Sequence, residues 1–204
     1  MHMLDQRTLG IAILVLLGAL VIVKQMATGS ILEKPRGDLL AWLTNAFNLF
    51  FLLVVNPAAA VLLITRQWEA VDPTHLAVGA PWLVMGLEIG GAALYVVGFL
   101  LMAWALVGLG SNYQLGGSSP RDADEMVMAG PYRLVRHPMY AAALSIALGL
   151  ACLVQSLAFF AVFCIYLVLI ARLIPSEEEK LQRAYGERYL AYRQEVRKLV
   201  PFLY

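Results

Sequence analysis

Two arginines and a histidine stand directly before a long apolar segment, an arrangement that could hold a charged ligand at the edge of a membrane. They are Arg133, Arg136 and His137 in GPYRLVRHPMYAAALSIALG, residues 130–149. Arginine binds carboxylates through charge-assisted, often paired hydrogen bonds. Long basic side chains also anchor helix ends by extending their charges to the membrane surface. Pro138 indicates where the helix begins, because its missing N–H has no intrahelical partner in a first turn.

Acidic and aromatic side chains that could complete such a site follow the last apolar segment. They are Glu177, Glu178, Glu179, Tyr185, Tyr189 and Tyr192. One interpretation is a structural network of ion pairs between these glutamates and the arginines. The other is a site for a zwitterionic ligand, in which arginine takes a carboxylate, glutamate takes an ammonium group or ribose hydroxyls, and tyrosines stack on a base. The residue types alone leave both interpretations open.

Other kinds of site are not indicated by the sequence. Cys152 and Cys164 both lie in apolar segments without a CxxC spacing, so neither a zinc site nor a disulfide framework is expected. The histidines His2, His75 and His137 are too dispersed to predict a metal site. The net charge of +1 gives no reason to expect a nucleic-acid partner.

The composition is that of a membrane protein, with 61% hydrophobic and 14% charged residues, whereas soluble domains contain about 25% charged residues. The apolar segments are 8–23, 39–65, 81–109 and 139–171. A span needs about 20 residues, so the last segment predicts two short spans joined by a sharp turn at Gln155–Ser156. We therefore expect an all-α protein with five spans. A cleaved signal peptide is the alternative for the first segment, although an acidic residue precedes it and no A-x-A site follows.

The distribution of basic residues predicts the orientation. Five alternating spans place every lysine and arginine except Arg7 and Arg66 on one side of the membrane. Basic residues concentrate on the cytoplasmic side, so we expect an external N-terminus and a cytoplasmic C-terminus. Because spans four and five form a hairpin, the arginines before span four and the glutamates after span five meet on the cytoplasmic face.

The tail after Pro175 is predicted to form a separate amphipathic helix on that face. Ser176 followed by Glu179 matches a capping box, and apolar side chains recur beyond it every three or four residues. Gly186 interrupts the pattern at a cost of about 1 kcal/mol, which requires a reason such as close packing. A helix lying on anionic lipid heads explains the apolar face and the basic residues. It does not explain the acidic triplet.

Several separated motifs resemble those of the isoprenylcysteine carboxyl methyltransferases. They are LGSNY at 109–113, AGPYRLVRHP at 129–138, RHPMY at 136–140, the pair Glu177–Glu178 and YGERYLAYRQEV at 185–196. They occur in matching order and spacing over roughly residues 100–204. The GLG at 108–110, together with the glutamate pair, is similar also to the phospholipid N-methyltransferases, which share this architecture.

The resemblance implies an integral membrane enzyme that uses S-adenosyl-L-methionine, with its cofactor pocket between the cytoplasmic ends of the spans and the C-terminal helix. The cofactor-binding residues that it implies are Gly110, Tyr113, Gly130, Tyr132, Arg136, His137, Pro138, Tyr140, Glu177 and Glu178. Asn112 and Arg136 are the expected catalytic residues, which orient or contact the acceptor.

The resemblance also implies a lipophilic acceptor, either a lipid or a prenylated molecule. A carboxylate, methylated as in isoprenylcysteine, is the first expectation, and N-methylation of a phospholipid or another amine is the alternative. A carboxylate is already ionised, so its methylation mainly requires alignment of the reacting groups. Residues 1–100 are expected to form a transmembrane region through which the acceptor gains access, and residues 101–204 to form the methyltransferase core.

Two other functions are compatible with parts of the pattern. Sterol reductases share this architecture but use NADPH, whose phosphate needs more basic groups, and they have about twice as many spans. A non-enzymatic membrane scaffold with a basic tail is the second. Binding of S-adenosylhomocysteine, of NADPH or of neither would separate the three possibilities.

Glu88 is the single charged residue within the third apolar segment. A carboxyl group inside a membrane span is by default a candidate functional residue. Asn112, an expected site residue, lies about 36 Å farther along an α-helix, which is too far for Glu88 to take part in methyl transfer. We therefore expect a structural role for Glu88, in which it is protonated or paired with Asn56 and fastens span three to span two. Gly86 and Gly90 have the small-xxx-small spacing that lets a second helix approach.

Overall fold

The computed structural model describes residues 4–30, 38–114, 120–121 and 124–200; His2 of the sequence analysis lies outside them. Every regular element among the described residues is helical. The α-helices are α1 (Gln6–Thr28), α2 (Leu39–Phe50), α3 (Asn56–Ile64), α4 (Trp68–Val71), α5 (Pro81–Leu109), α6 (Pro138–Val154), α7 (Leu157–Tyr185) and α8 (Glu187–Glu195). A π-helical turn, Phe51–Val55, joins α2 to α3 into one continuous span, and 3₁₀ turns form at Gly110–Asn112 and Gly130–Arg133.

The predicted all-α membrane architecture is confirmed. Within the described parts of the chain, four helical segments are long and apolar enough to cross a bilayer: α1, α2 with α3, α5, and α7. The shorter α6 is also apolar, packs along α5 and is about 25 Å long by its helical rise. The predicted hairpin is also confirmed. Gln155 adopts left-handed backbone angles, and Ser156 caps the start of α7 by accepting a hydrogen bond from the Phe159 N–H.

Helices α5 and α6 pack closely because glycines face each other. A Cβ on Gly149 would lie 2.6 Å from the backbone nitrogen of Tyr95, and one on Gly91 would lie 2.8 Å from the Gly149 oxygen. The contact predicted at Gly86 and Gly90 is wrong, since no atom of the described residues lies within 4 Å of a Cβ at either position. The small residues that admit the neighbouring helix lie on a different face of α5.

The predicted pairing of Glu88 with Asn56 is also wrong. Asn56 accepts a 2.7 Å hydrogen bond from the Tyr95 hydroxyl instead. Glu88 is fully buried, accepting hydrogen bonds from the Leu4 backbone N–H at 2.8 Å and from the Gln155 side-chain amide at 3.4 Å. Glu88 therefore fastens α5 to the start of the chain and to the hairpin turn. These partners differ from the one expected, and a structural role for Glu88 remains a prediction.

The tail does not begin a new helix at Ser176. Helix α7 continues through Pro175 and ends at Tyr185, followed by Gly186, where φ is 56° and ψ is −133°. Proline removes one backbone hydrogen bond from a helix, but Ile174 and Glu178 on either side of it are buried against the protein. Tertiary packing thus outweighs the local signal. Gly186 separates α7 from α8 rather than interrupting one helix, because such backbone angles are readily adopted only by glycine.

Candidate active site

A cavity lies at the end of the bundle opposite the Gln155 turn. It is bounded by the ends of α2, α5, α6 and α7, by α8 and by the segment 124–127. The predicted site residues on its wall are Asn112, Tyr113, Tyr132, Arg136, His137, Pro138, Tyr140 and Glu177. Residues far apart in sequence thus meet in one place, since the hairpin returns the chain to the end where α6 begins.

Arg136 and Glu178 form a buried ion pair beside the cavity. The Arg136 Nε and Nη2 atoms donate to one Glu178 carboxylate oxygen at 2.9 and 2.7 Å. Its Nη1 donates to the Arg193 carbonyl at 3.1 Å and to the Val196 carbonyl. The arginine is 9% exposed and the glutamate 4%. This guanidinium therefore connects the start of α6 to α7 and to the chain around the end of α8.

Further hydrogen bonds hold the C-terminal segment against the start of α6. The Arg136 N–H donates to the Arg197 carbonyl at 2.7 Å. The Tyr192 hydroxyl donates to the Tyr132 carbonyl at 2.5 Å. Tyr189 and Tyr192 pack with Val196, and the apolar side of α8 therefore contacts protein.

His137, Tyr140 and Glu177 form a second polar group on the wall. The His137 and Tyr140 rings are stacked with their centroids 5.6 Å apart. The Tyr140 hydroxyl donates to Glu177 at 2.7 Å, and His137 Nε2 lies 3.4 Å from a Glu178 oxygen. Because Glu177 lines the cavity and Glu178 does not, Glu177 supplies the carboxylate that a ligand can reach.

Gly110 and Gly130 are not on the cavity wall, but they shape the backbone behind it. Gly110, with φ of 52°, ends α5 and starts the turn that carries Asn112 and Tyr113. Gly130 has φ of 61°, and a Cβ there would lie 3.2 Å from Nε1 of Trp104. A larger residue would be strained at both positions.

Buried tyrosines keep the cavity rich in neutral hydroxyl groups. Burial raises the pKa of Tyr132, Tyr189 and Tyr192, and the nearby Glu178 carboxylate raises that of Tyr189 further. These phenols therefore remain protonated hydrogen-bond donors. Within the described part of the chain, the buried Tyr189 hydroxyl has no hydrogen-bond partner. Buried polar atoms in proteins are nearly always paired, so an unpaired one on a cavity wall indicates a ligand or water.

Several groups on the cavity wall were not predicted from the sequence. Asp124, which lines the cavity, accepts hydrogen bonds from Gln114 and, at 2.8 Å, from Arg121. Asn45 and Asn48 contribute polar side chains from α2. Two asparagines one helical turn apart in an apolar span were the signal that could have revealed them.

Comparisons with known proteins identify the family of the chain. No curated protein matches the chain. The sequence profile of the phospholipid methyltransferase family matches residues 87–188, which is half of the chain and extends from within α5 to the start of α8. The match covers most of the helices and turns that surround the cavity. The chain thus belongs to the phospholipid methyltransferase family and is an integral membrane methyltransferase.

Proposed function

We propose that the cavity binds S-adenosyl-L-methionine and that the chain transfers its methyl group to a lipophilic acceptor. The observation that carries this proposal is the unpaired, buried Tyr189 hydroxyl on the same wall as the Glu177 carboxylate. A hydroxyl donor and a carboxylate on one wall suit an adenosine-containing zwitterion, which offers hydrogen-bond acceptors, hydroxyl groups and an ammonium group. When bound, S-adenosylmethionine supplies a methyl group on a positively charged sulfur, which is open to displacement by a nucleophile.

The described residues suit the polar and aromatic parts of this cofactor. Glu177 would bind the ribose hydroxyls or the ammonium group, since its carboxylate is on the wall. Tyr189 would donate its free hydroxyl to a cofactor acceptor atom. His137, Tyr132 and Tyr140 supply ring surfaces, and Pro138, Tyr113 and the two glycines shape the backbone around them.

The contribution of this chain to methyl transfer is positioning. Alignment of two reactants lowers the barrier by removing motional freedom before the reaction. The Arg136–Glu178 pair holds the starts and ends of three helices in place around the cavity. Asn112 on the wall would orient the acceptor, and Arg136 would contact it through the one Nη2 hydrogen not used by Glu178 or by the Arg193 and Val196 carbonyls. The apolar walls of α5 and α6 would limit access of water.

A carboxylate is the first acceptor that we propose, by analogy with isoprenylcysteine, because the motifs from RHPMY to the tail resemble those enzymes. Residues 101–204 would then form the methyltransferase core. Residues 1–100 would shape the access of the lipid or prenylated molecule from the bilayer.

An amine of a phospholipid is the second candidate acceptor, favoured by one specific observation. The guanidinium of Arg136 is already bound to Glu178 and the carboxylate of Asp124 to Arg121, whereas Glu125 and Glu177 contribute further acidic side chains to the cavity lining. Such a lining suits a positively charged head better than a carboxylate.

The cavity is proposed to face the cytoplasm, with the N-terminus outside. Arg7 and Arg66 lie at the opposite end of the bundle, near Asp5 and the Gln155 turn. The remaining described basic residues lie toward the cavity end. The positive-inside rule then places that end in the cytoplasm.

The proposal is tested by incubating purified protein with methyl-labelled S-adenosylmethionine, host lipids and a prenylated cysteine. We expect label in one lipid-soluble product. A base-labile methyl ester identifies the carboxylate, and a stable N-methyl lipid identifies the amine. Absence of label from every lipid fraction, with S-adenosylhomocysteine failing to bind the folded protein, would contradict the proposal.

A further inference from the structure

We propose that Asn48 on α2 binds the polar head of the acceptor, an inference that rests on the proposed methyl transfer to a lipophilic molecule. Asn48 lies outside the residues matched by the family profile, 87–188. Asn45 and Asn48 are one turn apart on α2, and both line the cavity. Apart from them and Thr44, every side chain of α2 is apolar.

The side-chain oxygen of Asn48 is buried and, within the described residues, has no hydrogen-bond partner. An unpaired polar atom at this depth is costly, because the hydrocarbon core of the bilayer contains no water that could hydrogen-bond with it. Polar groups retained inside spans usually face a cavity and serve substrates. The position of this amide on the wall therefore indicates a ligand that hydrogen-bonds with it.

The structure holds this part of span two in a defined rotation. Directly after α2, the helix widens into the π-helical turn Phe51–Val55. The Asn56 amide donates to the Phe51 carbonyl at 2.8 Å, and the Tyr95 hydroxyl donates to the Asn56 oxygen at 2.7 Å. A π-helical turn adds a residue and thereby changes the face that a helix presents, and such turns are frequent at functional sites. The Asn56–Tyr95 contact thus fixes which face of α2 meets the cavity.

Asn48 lies deep enough to meet a molecule that enters from the bilayer. The neighbouring Phe47 packs on Tyr166 of α7 with their ring centroids 5.1 Å apart. Glu177, the proposed cofactor ligand, lies about 16 Å farther along α7 by the helical rise. Residues at the level of Asn48 and at the level of Glu177 both line the cavity, and Met102 and Met139 contribute apolar surface. One end thus suits the cofactor and the other the head of a lipid whose tail remains in the membrane.

The amide suits either proposed acceptor. Its oxygen accepts a hydrogen bond from an amine, and its nitrogen donates one to a carboxylate after the side chain turns by about 180°. The shared chemistry is a lipid with a polar head that hydrogen-bonds to a neutral amide.

The test measures equilibrium binding of two probes, N-acetyl-S-farnesylcysteine and a short-chain phosphatidylethanolamine, to purified full-length protein. Asn48→Leu should weaken binding of the probe that the wild type binds by at least tenfold. Leucine suits an apolar span, so the variant should fold. Thr44→Val is the matched control: Thr44 is a buried polar residue of the same helix, but its hydroxyl donates to the Leu40 carbonyl. It should leave the probe affinity unchanged.

Binding of S-adenosylhomocysteine by the same samples separates this inference from the proposed function. The inference expects this affinity to be unchanged in both variants. Unchanged probe affinity in Asn48→Leu, an equal loss in Thr44→Val, or no binding of either probe by the wild type would overturn the role of Asn48. Failure of the wild type to bind S-adenosylhomocysteine would instead contradict the proposed cofactor.

Discussion

The two ends of the helical bundle differ in the hydrogen bonding of their buried polar groups. At the hairpin end, Glu88 bonds to Leu4 and Gln155, and the Trp68 indole donates to the Val154 carbonyl at 3.0 Å. At the cavity end, among the described residues, the Tyr189 hydroxyl and the Asn48 oxygen are buried without partners.

Among the described residues near the hairpin, one Asp72 oxygen is similarly unpaired, and the other accepts hydrogen bonds from the Thr74 backbone N–H at 2.8 Å and from the Thr74 hydroxyl at 2.7 Å. The comparison separates polar groups that stabilise the fold from polar groups that are available to a ligand. Substitutions at the hairpin end should therefore change stability alone. Removing an unpaired group at the cavity end should change binding alone.

The largest expected effect comes from the Arg136–Glu178 ion pair, which both stabilises the fold and supports the cavity wall. Glu178→Ala leaves the buried Arg136 guanidinium without its carboxylate, which should lower the free energy of unfolding by about 3–5 kcal/mol. It should also weaken S-adenosylhomocysteine binding, because the cavity wall loses its support. Chemical denaturation in detergent and calorimetry measure the two effects.

Glu179→Ala is the matched control for this variant. Glu179 pairs with Arg183 at 2.5 Å, but both side chains are more than half exposed. Loss of an exposed pair should cost less than about 1 kcal/mol. Equal effects of the two substitutions would show that the buried pair does not support the cavity.

The next effect concerns the hairpin end. Glu88→Leu removes the acceptor of the Leu4 and Gln155 hydrogen bonds and leaves the buried Gln155 amide without this partner, at a cost of about 1–3 kcal/mol. Glu88→Gln should keep turnover and cofactor affinity within about threefold, because an amide can still accept hydrogen bonds. Thermal unfolding and methyl-transfer assays measure these outcomes. Loss of turnover in well-folded Glu88→Gln would place this carboxyl in the substrate path and break the distinction between the two ends.

The smallest expected effect concerns two tyrosines of α8, Tyr189 and Tyr192. Tyr189→Phe removes an unpaired hydroxyl, so stability should be unchanged while S-adenosylhomocysteine binds roughly 2- to 10-fold more weakly, the equivalent of one neutral hydrogen bond. Tyr192→Phe should show the opposite pattern, because its hydroxyl bonds to Tyr132 within the protein. Calorimetry and denaturation of both variants provide the comparison. Equal cofactor affinity in wild type and Tyr189→Phe would exclude Tyr189 as a ligand contact.

The spans and the hairpin were predictable because they depend on local composition. An apolar run too long for one span, with Gln155–Ser156 as its polar break, led to the observed turn. The motif residues meet in the structure because that turn returns the chain, as expected from the hairpin.

The partners of individual polar groups were less predictable, because they depend on how each helix is rotated. The sequence places Glu88 and Asn56 at similar depths, but Asn56 faces Tyr95. Likewise, Pro175 and Ser176 carry the local signals of a helix start, yet burial of the surrounding residues continues α7 through them. The role of Asn48 becomes visible only when the cavity beside α2 is known.

The most direct measurement is a calorimetric titration of S-adenosylhomocysteine into the wild type, Glu177→Ala and Glu69→Ala. Glu177 lies on the cavity wall, whereas Glu69 is exposed near the hairpin end. The account predicts that the wild type and Glu69→Ala bind with the same affinity. Glu177→Ala should bind about 10- to 150-fold more weakly, the cost of a lost hydrogen bond to a charged group. Equal affinity in all three folded proteins, or no binding by the wild type, would contradict the claim that this cavity holds the methyl donor.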